Sequence, residues 1–316
     1  MPAETHIDKD NRQTSPLNID IEQFLMSSQL LELDFEFGLQ QMNVYLQDLM
    51  MVKSGGKKLV VENIRQRAAA AMPRLIVPNE SNAAGFTLVD KWDMMDGNVP
   101  AGSIALLKLS GVMRTQSGFS SPGVDRLATD LRSAYNNTNI RGVVLETLSG
   151  GGESMAGNVL KSALSERNKP VIGWAHLVAS AAFRALTGTD EIILSSSSAE
   201  AGSIGTMISM DTKELNKFRE RFTEFYGSDA PNKNSEFRKA MAGDFSAIQE
   251  RVDTLTREFH NEIKKDRPLQ GDSAKIKETL SGAMFNAPEA KRRGLVDAIG
   301  NLNFAVRRVN ALKSRY

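Results

Sequence analysis

The sequence has no cysteine, and its 316 residues include only three histidines and two tryptophans. Without cysteine the chain has no disulfide framework, no thiolate nucleophile and no thiolate metal site. The histidines are His6, His176 and His260, and no two of them have the spacing of ligands to one metal ion. A metal-dependent reaction is therefore not expected.

The sequence also has no large excess of positive or negative charge, because it contains 39 lysine and arginine residues and 38 aspartate and glutamate residues. This balance favours neither nucleic acid nor an anionic membrane as a partner. The longest nearly apolar run, residues 171–183, is shorter than the about 20 residues that cross a bilayer. Residues 1–10 have neither the basic start nor the apolar core of a secretory signal peptide. The sequence thus predicts a cytoplasmic protein without a membrane span.

Strands and helices are predicted to alternate through the middle of the chain. Apolar runs predict a strand with its turn at residues 104–113 and strands at 143–145, 171–174 and 191–194, and helical spacing predicts helices at residues 124–135 and 155–164. Such alternation favours parallel strands joined by βαβ crossovers. In these folds the loops after the strands' carboxyl ends collect the functional groups. We therefore expect an α/β fold with its site at that edge of the sheet.

Small residues follow three of the predicted strands. The second strand leads to residues 149–152 (Ser-Gly-Gly-Gly), the third to Ser180, and the fourth to residues 201–205 (Ala-Gly-Ser-Ile-Gly). A glycine run lets backbone N–H groups point at a developing negative charge, although it also makes ordinary turns. Ser180 stands between alanines at the start of a predicted helix, which suits a reachable nucleophile. Serine is equally a preferred helix N-cap, and that is the alternative role.

These motifs, in this order, resemble those of the signal peptide peptidase A family of serine peptidases. The fold of that family is similar to the Clp protease and crotonase folds, so the resemblance implies a βαβ superhelix with parallel strands. It implies that Gly151 and Gly152 form an oxyanion hole, that Ser180 is the nucleophile, and that Ser203 orients a catalytic lysine. The two alanines after Ser180 are more like the family members encoded by phages and prophages. The resemblance begins near Ser103 and covers about two-thirds of the chain.

The resemblance also implies a lysine as the general base. A family loop that carries this lysine matches residues 229–233 by position, which assigns the role to Lys233. Lys239, six residues further on, is the alternative if the alignment of this loop is shifted. Without the other motifs, Lys233 would read as an exposed loop cation. His176 precedes Ser180 by four residues, but a Ser-His pair normally needs a carboxylate that orients the histidine, and the family has no such histidine.

The N-terminal part lies outside the resemblance. Residues 1–16 are polar and predicted to be disordered, residues 31–37 alternate like a strand, and residues 39–50 and 62–72 have helical patterns. We expect residues 1–80 to form a mostly helical N-terminal extension and residues 81–316 to form the peptidase domain. The extension is either an accessory layer packed on its own fold or an arm that contacts a neighbour or a partner protein.

Helices are also predicted at residues 212–225 and 244–265, and the second has one apolar face that is expected to pack rather than react. Segments 283–290 and 294–300 resemble the terminal segment of the family.

The combined expectation is a serine endopeptidase with a Ser180–Lys233 dyad and no cofactor. Its expected role is a phage or prophage head maturation protease that trims capsid or scaffold proteins in the host cytoplasm. A bacterial cytoplasmic peptidase is the second possibility. We expect a homo-oligomer, and the resemblance implies that Lys233 acts either within its own chain or from a neighbouring protomer. The alternatives from other classes are a crotonase-like acyl-CoA enzyme, in which paired amides stabilise an enolate, and a catalytically inactive structural relative.

Overall fold

The computed structural model of this chain describes residues 31–33, 72–90, 94, 97–117, 123–210, 212, 216 and 220–316. Its strands are β1 (Leu31–Leu33), β2 (Arg74–Pro78), β3 (Phe86–Asp90), β4 (Ser103–Ser110), β5 (Ile140–Ser149), β6 (Gly151–Glu153), β7 (Val171–Ala179), β8 (Glu191–Leu194), β9 (Glu200–Gly202), β10 (Met284–Asn286) and β11 (Ala298–Ile299).

The helices with defined bounds are α1 (Val124–Asn136), α2 (Ser154–Ser165), α3 (Ala181–Leu186), α4 (Ser235–Met241), α5 (Ser246–Asp266), α6 (Ser273–Thr279), α7 (Ala287–Arg292) and α8 (Leu302–Leu312). No helix in the part of the chain that the structure describes is both long enough and apolar enough to cross a membrane.

A large mixed sheet organises these elements in the order β10-β9-β7-β5-β4-β2-β3. Its central pairs, β4 with β5 and β5 with β7, are parallel, as are the pairs of β7 with β8 and with β9. The strand pairs at both edges of the sheet are antiparallel. At one edge β2 pairs with β3 and with β4, and at the other β10 pairs with β9. The predicted α/β class with parallel strands is confirmed.

Both faces of the sheet are covered. Side chains alternate between the two faces of a strand, so neighbouring residues of β5 enter different cores. Val143 and Leu145 belong to the core shared with α1, α2, α3 and α5, whereas Val144 belongs to the core under α8. The strands of a doubly covered sheet are apolar on both sides, which is why β4 and residues 143–145 of β5 consist mainly of consecutive apolar residues.

The βαβ crossovers place the carboxyl ends of β5 and β7 side by side. Helix α1 connects β4 to β5, and helix α2 connects β6 to β7, so β5 and β7 run parallel. Their register pairs Ser149 at the end of β5 with Val178 near the end of β7. The glycine turn and Ser180 therefore leave the sheet at neighbouring positions.

Most of the predicted elements occur with small shifts of their bounds. The strand predicted at residues 171–174 continues to Ala179. The strand and turn predicted at residues 104–113 occur as β4, which ends at Ser110, and a bend at residues 111–112. The prediction of a helix at residues 212–225 was wrong at the C-terminal end, because residues 222–225 are not helical. Phe222 and Phe225 are 53% and 92% exposed, so burial of these two apolar side chains contributes little to a last helical turn.

The N-terminal predictions lie largely outside the described residues. This holds for disorder at residues 1–16, for the helical patterns at 39–50 and 62–71, and thus for the mostly helical character of the extension. Within the predicted strand at 31–37, residues 31–33 form β1, which pairs with β6 of the same chain. Strand β2 precedes the predicted boundary at residue 80 and belongs to the large sheet. The division at that residue stays a prediction.

Candidate active site

Ser180 occupies a strained turn between β7 and α3. Its φ and ψ are 54° and −121°, an unusual backbone conformation for a residue with a β-carbon. The turn is held by a 2.9 Å hydrogen bond from the Ser180 amide to the Gly202 carbonyl, and by another from the Arg184 amide to the Ser180 carbonyl. Strain of this kind costs about 1–3 kcal/mol and often marks functional sites. The predicted strand-to-helix turn is therefore present and sharper than a simple cap.

The hydroxyl of Ser180 does not cap the helix, since its side chain accepts no hydrogen bond from the first turn of α3. Its Oγ atom lies 3.4 Å from the Gly205 carbonyl oxygen, a long contact for a hydroxyl donor. Residue Ser180 as a whole is 1% exposed. The side chain of Ser180 therefore does not have the N-cap role that was the alternative to a nucleophile.

Close packing explains the small residues around Ser180. A β-carbon placed on Gly157 of α2 would lie 2.9 Å from the Ala181 carbonyl oxygen and 3.2 Å from the Ala181 β-carbon. The side chain of Arg184, 3% exposed, donates a 3.0 Å hydrogen bond to Ser154 at the start of α2 and lies over the ring of Phe259 in α5. Helices α2 and α5 thereby fix α3, and α3 fixes the turn.

The predicted oxyanion-hole glycines form the short strand β6 rather than a loop. Met113 runs beside them, and its amide donates to the Gly151 carbonyl while its carbonyl accepts from the Glu153 amide. The approach is close, because a β-carbon on Gly152 would lie 2.2 Å from the Met113 carbonyl oxygen. With φ at 157° as well, the Gly152 position requires glycine.

The two glycine amides differ in what they face. The Gly151 amide donates a 3.2 Å hydrogen bond to the Ser149 hydroxyl, which in turn donates to the Gly111 carbonyl. A donor role for Gly151 in catalysis would require exchange of that bond. Because Gly151 and Glu153 bond to Met113, strand alternation turns the N–H and C=O of Gly152 to the opposite edge. The oxyanion-hole role of both residues stays a prediction.

A cavity of about 370 Å³ opens at Ser180. Its lining residues are Ser180, Ser203, Ile204, Gly205, Thr206, Met207, Thr256, His260, Leu280, Ser281 and Gly282. Ser203, predicted to orient the lysine, is thus brought into one cavity with Ser180. Ser203 also has a positive φ of 52°, and its amide donates to the Ala283 carbonyl.

His260 is a cavity residue that the sequence reasoning passed over. Helix α5, which was expected only to pack, contributes His260 and Thr256 to the lining. Nε2 of His260 lies 3.3 Å from the Ile204 carbonyl oxygen. Burial lowers the pKa of His260 below its ordinary value of 6.5, with a smaller lowering by Lys264, while hydrogen bonds to backbone carbonyls act in the opposite direction. One feature of the sequence could have identified His260 as a site residue. Thr256 and His260 lie one helical turn apart, next to the apolar face of α5.

The structure does not bring the predicted lysine into this cavity. Lys233 is exposed in a turn, and neither it nor Lys239 lines the cavity. The Lys233 amide donates a 3.1 Å hydrogen bond to the Ala230 carbonyl within this turn, and Asn234, directly after Lys233, has a positive φ of 53°. His176 also lies elsewhere, with Nε2 3.4 Å from a carboxylate oxygen of Glu146. The role of Lys233 as the base stays a prediction.

Comparison with known proteins gives a family match. Residues 163–315 match the sequence model of Peptidase family S49, a region that includes both Ser180 and Lys233. Protease 4 of Haemophilus influenzae (strain ATCC 51907 / DSM 11121 / KW20 / Rd) is 26% identical over 221 residues, which are 68% of this chain and 35% of that protein. The chain thus spans about a third of the length of this curated relative. The predicted resemblance to the signal peptide peptidase A family is confirmed.

Solved structures with a similar fold have names that denote enzymes other than peptidases. An enoyl-CoA hydratase/carnithine racemase from Magnetospirillum magneticum is 13% identical with a TM-score of 0.39, over 68% of this chain and 71% of that chain. A probable enoyl-CoA hydratase/isomerase from Mycobacterium abscessus is 17% identical with a TM-score of 0.37, over 66% and 70%. At such values these likenesses carry no inference about the reaction.

Proposed function

We propose, from the match to Peptidase family S49 and the geometry of Ser180, that this chain is a serine endopeptidase. The observation that carries the proposal is the strained turn that holds Ser180 at a cavity without using its hydroxyl as a cap. A nucleophile must be held rigidly and yet be free to react, and this turn meets both requirements. The match to Protease 4 supports the same class.

In the proposed reaction the Ser180 oxygen attacks the carbonyl carbon of a peptide bond while Lys233, in its neutral form, takes the hydroxyl proton. The backbone amide of Gly152 stabilises the negative oxygen of the tetrahedral intermediate. The predicted second donor, the amide of Gly151, joins it only if this residue leaves the strand conformation and gives up its bond to the Ser149 hydroxyl. The carbon–nitrogen bond then breaks, and the leaving amine receives the proton from Lys233. Water attacks the remaining ester, which releases the acid and restores Ser180. No cofactor takes part.

We propose that Lys233 reaches Ser180 from a neighbouring protomer in a homo-oligomer. Two observations support this arrangement. Within the described part of one chain, Lys233 is exposed and does not line the cavity of Ser180. The segment before it exposes the large apolar side chains of Phe222 and Phe225, which lose contact with water if another protomer covers them. A heterologous ring interface would carry the lysine turn of one protomer to the serine of the next.

The proposed biological role is head maturation of a phage or prophage, by cleavage of capsid or scaffold proteins in the host cytoplasm. The Ala181 and Ala182 pair after Ser180, more like the phage-encoded members, supports this choice. A bacterial cytoplasmic peptidase is the second reading. Coexpression with the capsid and scaffold proteins of the same genome should yield cleaved scaffold with the wild type and intact scaffold with Ser180→Ala.

The test of the chemistry is labelling by a fluorophosphonate serine probe, followed by peptide mapping. We expect one labelled site, Ser180, with no labelling in Ser180→Ala and unchanged labelling in Ser197→Ala. Ser197 is an exposed serine of the turn after β8 and serves as the matched control. Absence of labelling in the assembled wild type, together with absence of peptide hydrolysis, would contradict the proposal.

A further inference from the structure

Strand β1, from the N-terminal part of the chain, pairs with the predicted oxyanion-hole strand. The pairing is antiparallel, with Leu31 opposite Glu153, Glu32 opposite Gly152, and Leu33 opposite Gly151. These two strands form a sheet of their own, separate from the large one. A segment outside the family resemblance thus reaches the strand beside Ser180.

The hydrogen-bonding pattern shows which backbone groups β1 faces. On one edge of β6, the Gly151 carbonyl and the Glu153 amide are bonded to Met113. Backbone groups of successive residues point to opposite edges of a strand, so the N–H and C=O of Gly152 point away from Met113. That second edge is the one that Glu32 covers. Glu32 and Gly152 are therefore the residues whose backbone groups face each other.

The Gly152 edge adjoins the nucleophile. Strand β5 leads into β6 from Ser149, which is in register with Val178 of β7, and Ser180 follows two residues later. Directly after β6, Ser154 accepts a hydrogen bond from Arg184 of α3, the helix that begins after Ser180. The β6 segment and the Ser180 turn therefore run side by side.

We propose that the Gly152 edge of β6 is the binding site for an extended peptide, and that the chain's own segment around Glu32 occupies it as an internal competitor. The proposal rests on the proposed peptidase function, which supplies the peptide substrate. Strand addition of this kind recognises backbone groups, so one edge accepts many sequences, including a segment of the same chain. The register also gives the direction, because a bound peptide would run antiparallel to β6, as β1 does. Substrate binds only molecules in which β1 has left the edge.

Two proline variants of the full chain test the occupancy. Glu32→Pro removes the N–H that faces Gly152, whereas Leu31→Pro removes an N–H that points away from β6, where an edge strand tolerates proline. In the wild type we expect slow hydrogen exchange at the Gly152 amide. Glu32→Pro should make that exchange faster, and Leu31→Pro should leave it unchanged.

The same variants, each combined with Ser180→Ala, test peptide binding without hydrolysis. The probe is a fluorescein-labelled peptide of residues 28–36, added in excess. If β1 covers the edge in about nine of ten molecules, the Glu32→Pro protein binds this peptide about tenfold more tightly than the Leu31→Pro protein. Hydrolysis of a longer peptide by the variants with Ser180 intact should show the same ratio in kcat/KM.

A rapidly exchanging Gly152 amide in the wild type would overturn the proposal without reference to any variant. Equal peptide affinity of the two proline variants would also overturn it. If the affinities and exchange rates differ as expected but no protein with Ser180 intact hydrolyses peptide, the binding site stands and the peptidase function fails. The two proposals are thus separated by these measurements.

Discussion

The Oγ atom of Ser180 lies 3.4 Å from the carbonyl oxygen of Gly205. Hydroxyl donors in stable hydrogen bonds usually lie within about 3.0 Å of their acceptors, so this contact holds the hydroxyl only weakly. The backbone of the same residue, in contrast, is fixed by bonds to Gly202 and Arg184. Ser180 therefore combines a rigid main chain with a loosely bonded side chain.

This difference predicts opposite outcomes for stability and activity. Ser180→Ala should abolish peptide hydrolysis and probe labelling, yet change the free energy of unfolding by less than about 1 kcal/mol, because only a weak hydrogen bond is lost. Ser180→Gly should also be inactive but about 1 kcal/mol more stable than Ser180→Ala, because glycine relieves the strain at positive φ. Urea unfolding measures both. Full activity of Ser180→Ala, or lower stability of the glycine variant, would contradict the assignment.

Gly152→Ala should impair both folding and activity. The added β-carbon would lie 2.2 Å from the Met113 carbonyl oxygen, so β6 must move away from Met113. We expect a loss of about 1–3 kcal/mol in the free energy of unfolding and a fall of at least about tenfold in kcat. Gly97→Ala is the matched control, since nothing lies within 4 Å of a β-carbon there. Equal activity of the two variants would show that β6 does not contribute to the site.

Mixed oligomers test whether Lys233 acts across protomers. Ser180→Ala and Lys233→Ala should each be inactive alone, whereas double-tagged assemblies of the two should regain hydrolysis, because some interfaces then pair an intact Ser180 with an intact Lys233. Activity no higher than that of either variant alone would rule out a shared site.

Substitutions at single lysines test which one is the base. Lys233→Arg should be nearly inactive, because an arginine cannot give up its proton in a protein. Lys239→Ala should keep most of the activity. An active Lys233→Arg together with an inactive Lys239→Ala would move the base role to Lys239.

His260 should make stability depend on pH. Burial lowers the pKa of His260 below 6.5 in the folded protein, so near that pH the unfolded chain binds more protons than the folded one. The free energy of unfolding contributed by this group is therefore complete above pH 6.5 and falls as the pH drops toward the folded pKa. We expect His260→Gln to lose less stability than the wild type between pH 7 and pH 5, as measured by urea unfolding at each pH. Parallel curves for the two proteins would contradict this expectation.

The sequence was sufficient for the central parallel strands of the sheet and for the strand-to-helix turn at Ser180. Strands β4, β5 and β7 are buried on both faces, and continuous apolar runs reveal such strands directly. Local patterns of this kind survive because they reflect burial of the residues themselves. The alanines beside Ser180 were expected to leave the serine reachable, whereas Ala181 packs closely against Gly157 of α2 and Ser180 is buried.

Local sequence patterns could not predict that residues 151–153 form a strand. Glycine has a low intrinsic preference for strands, and what makes Gly151–Glu153 a strand is pairing with Met113 and with β1, both remote in sequence. His260 was missed for a related reason. Its helix has an ordinary apolar face, and the tertiary packing of Phe259, which lies under Arg184, fixes which of its neighbouring residues face the cavity of Ser180.

The pairing of β9 with β10 has a consequence for the time at which the site is completed during synthesis. The Ser203 amide donates to the Ala283 carbonyl, and β10 then extends this contact along β9. Translation proceeds from the N-terminus, so a ribosome-bound chain can contain Ser180, Ser203 and Lys233 before Ala283 has been made. In such a chain the Ser203 turn lacks its acceptor. The cavity beside Ser180, which Leu280, Ser281 and Gly282 also line, is therefore completed only after residue 283 has been synthesised and has left the ribosome.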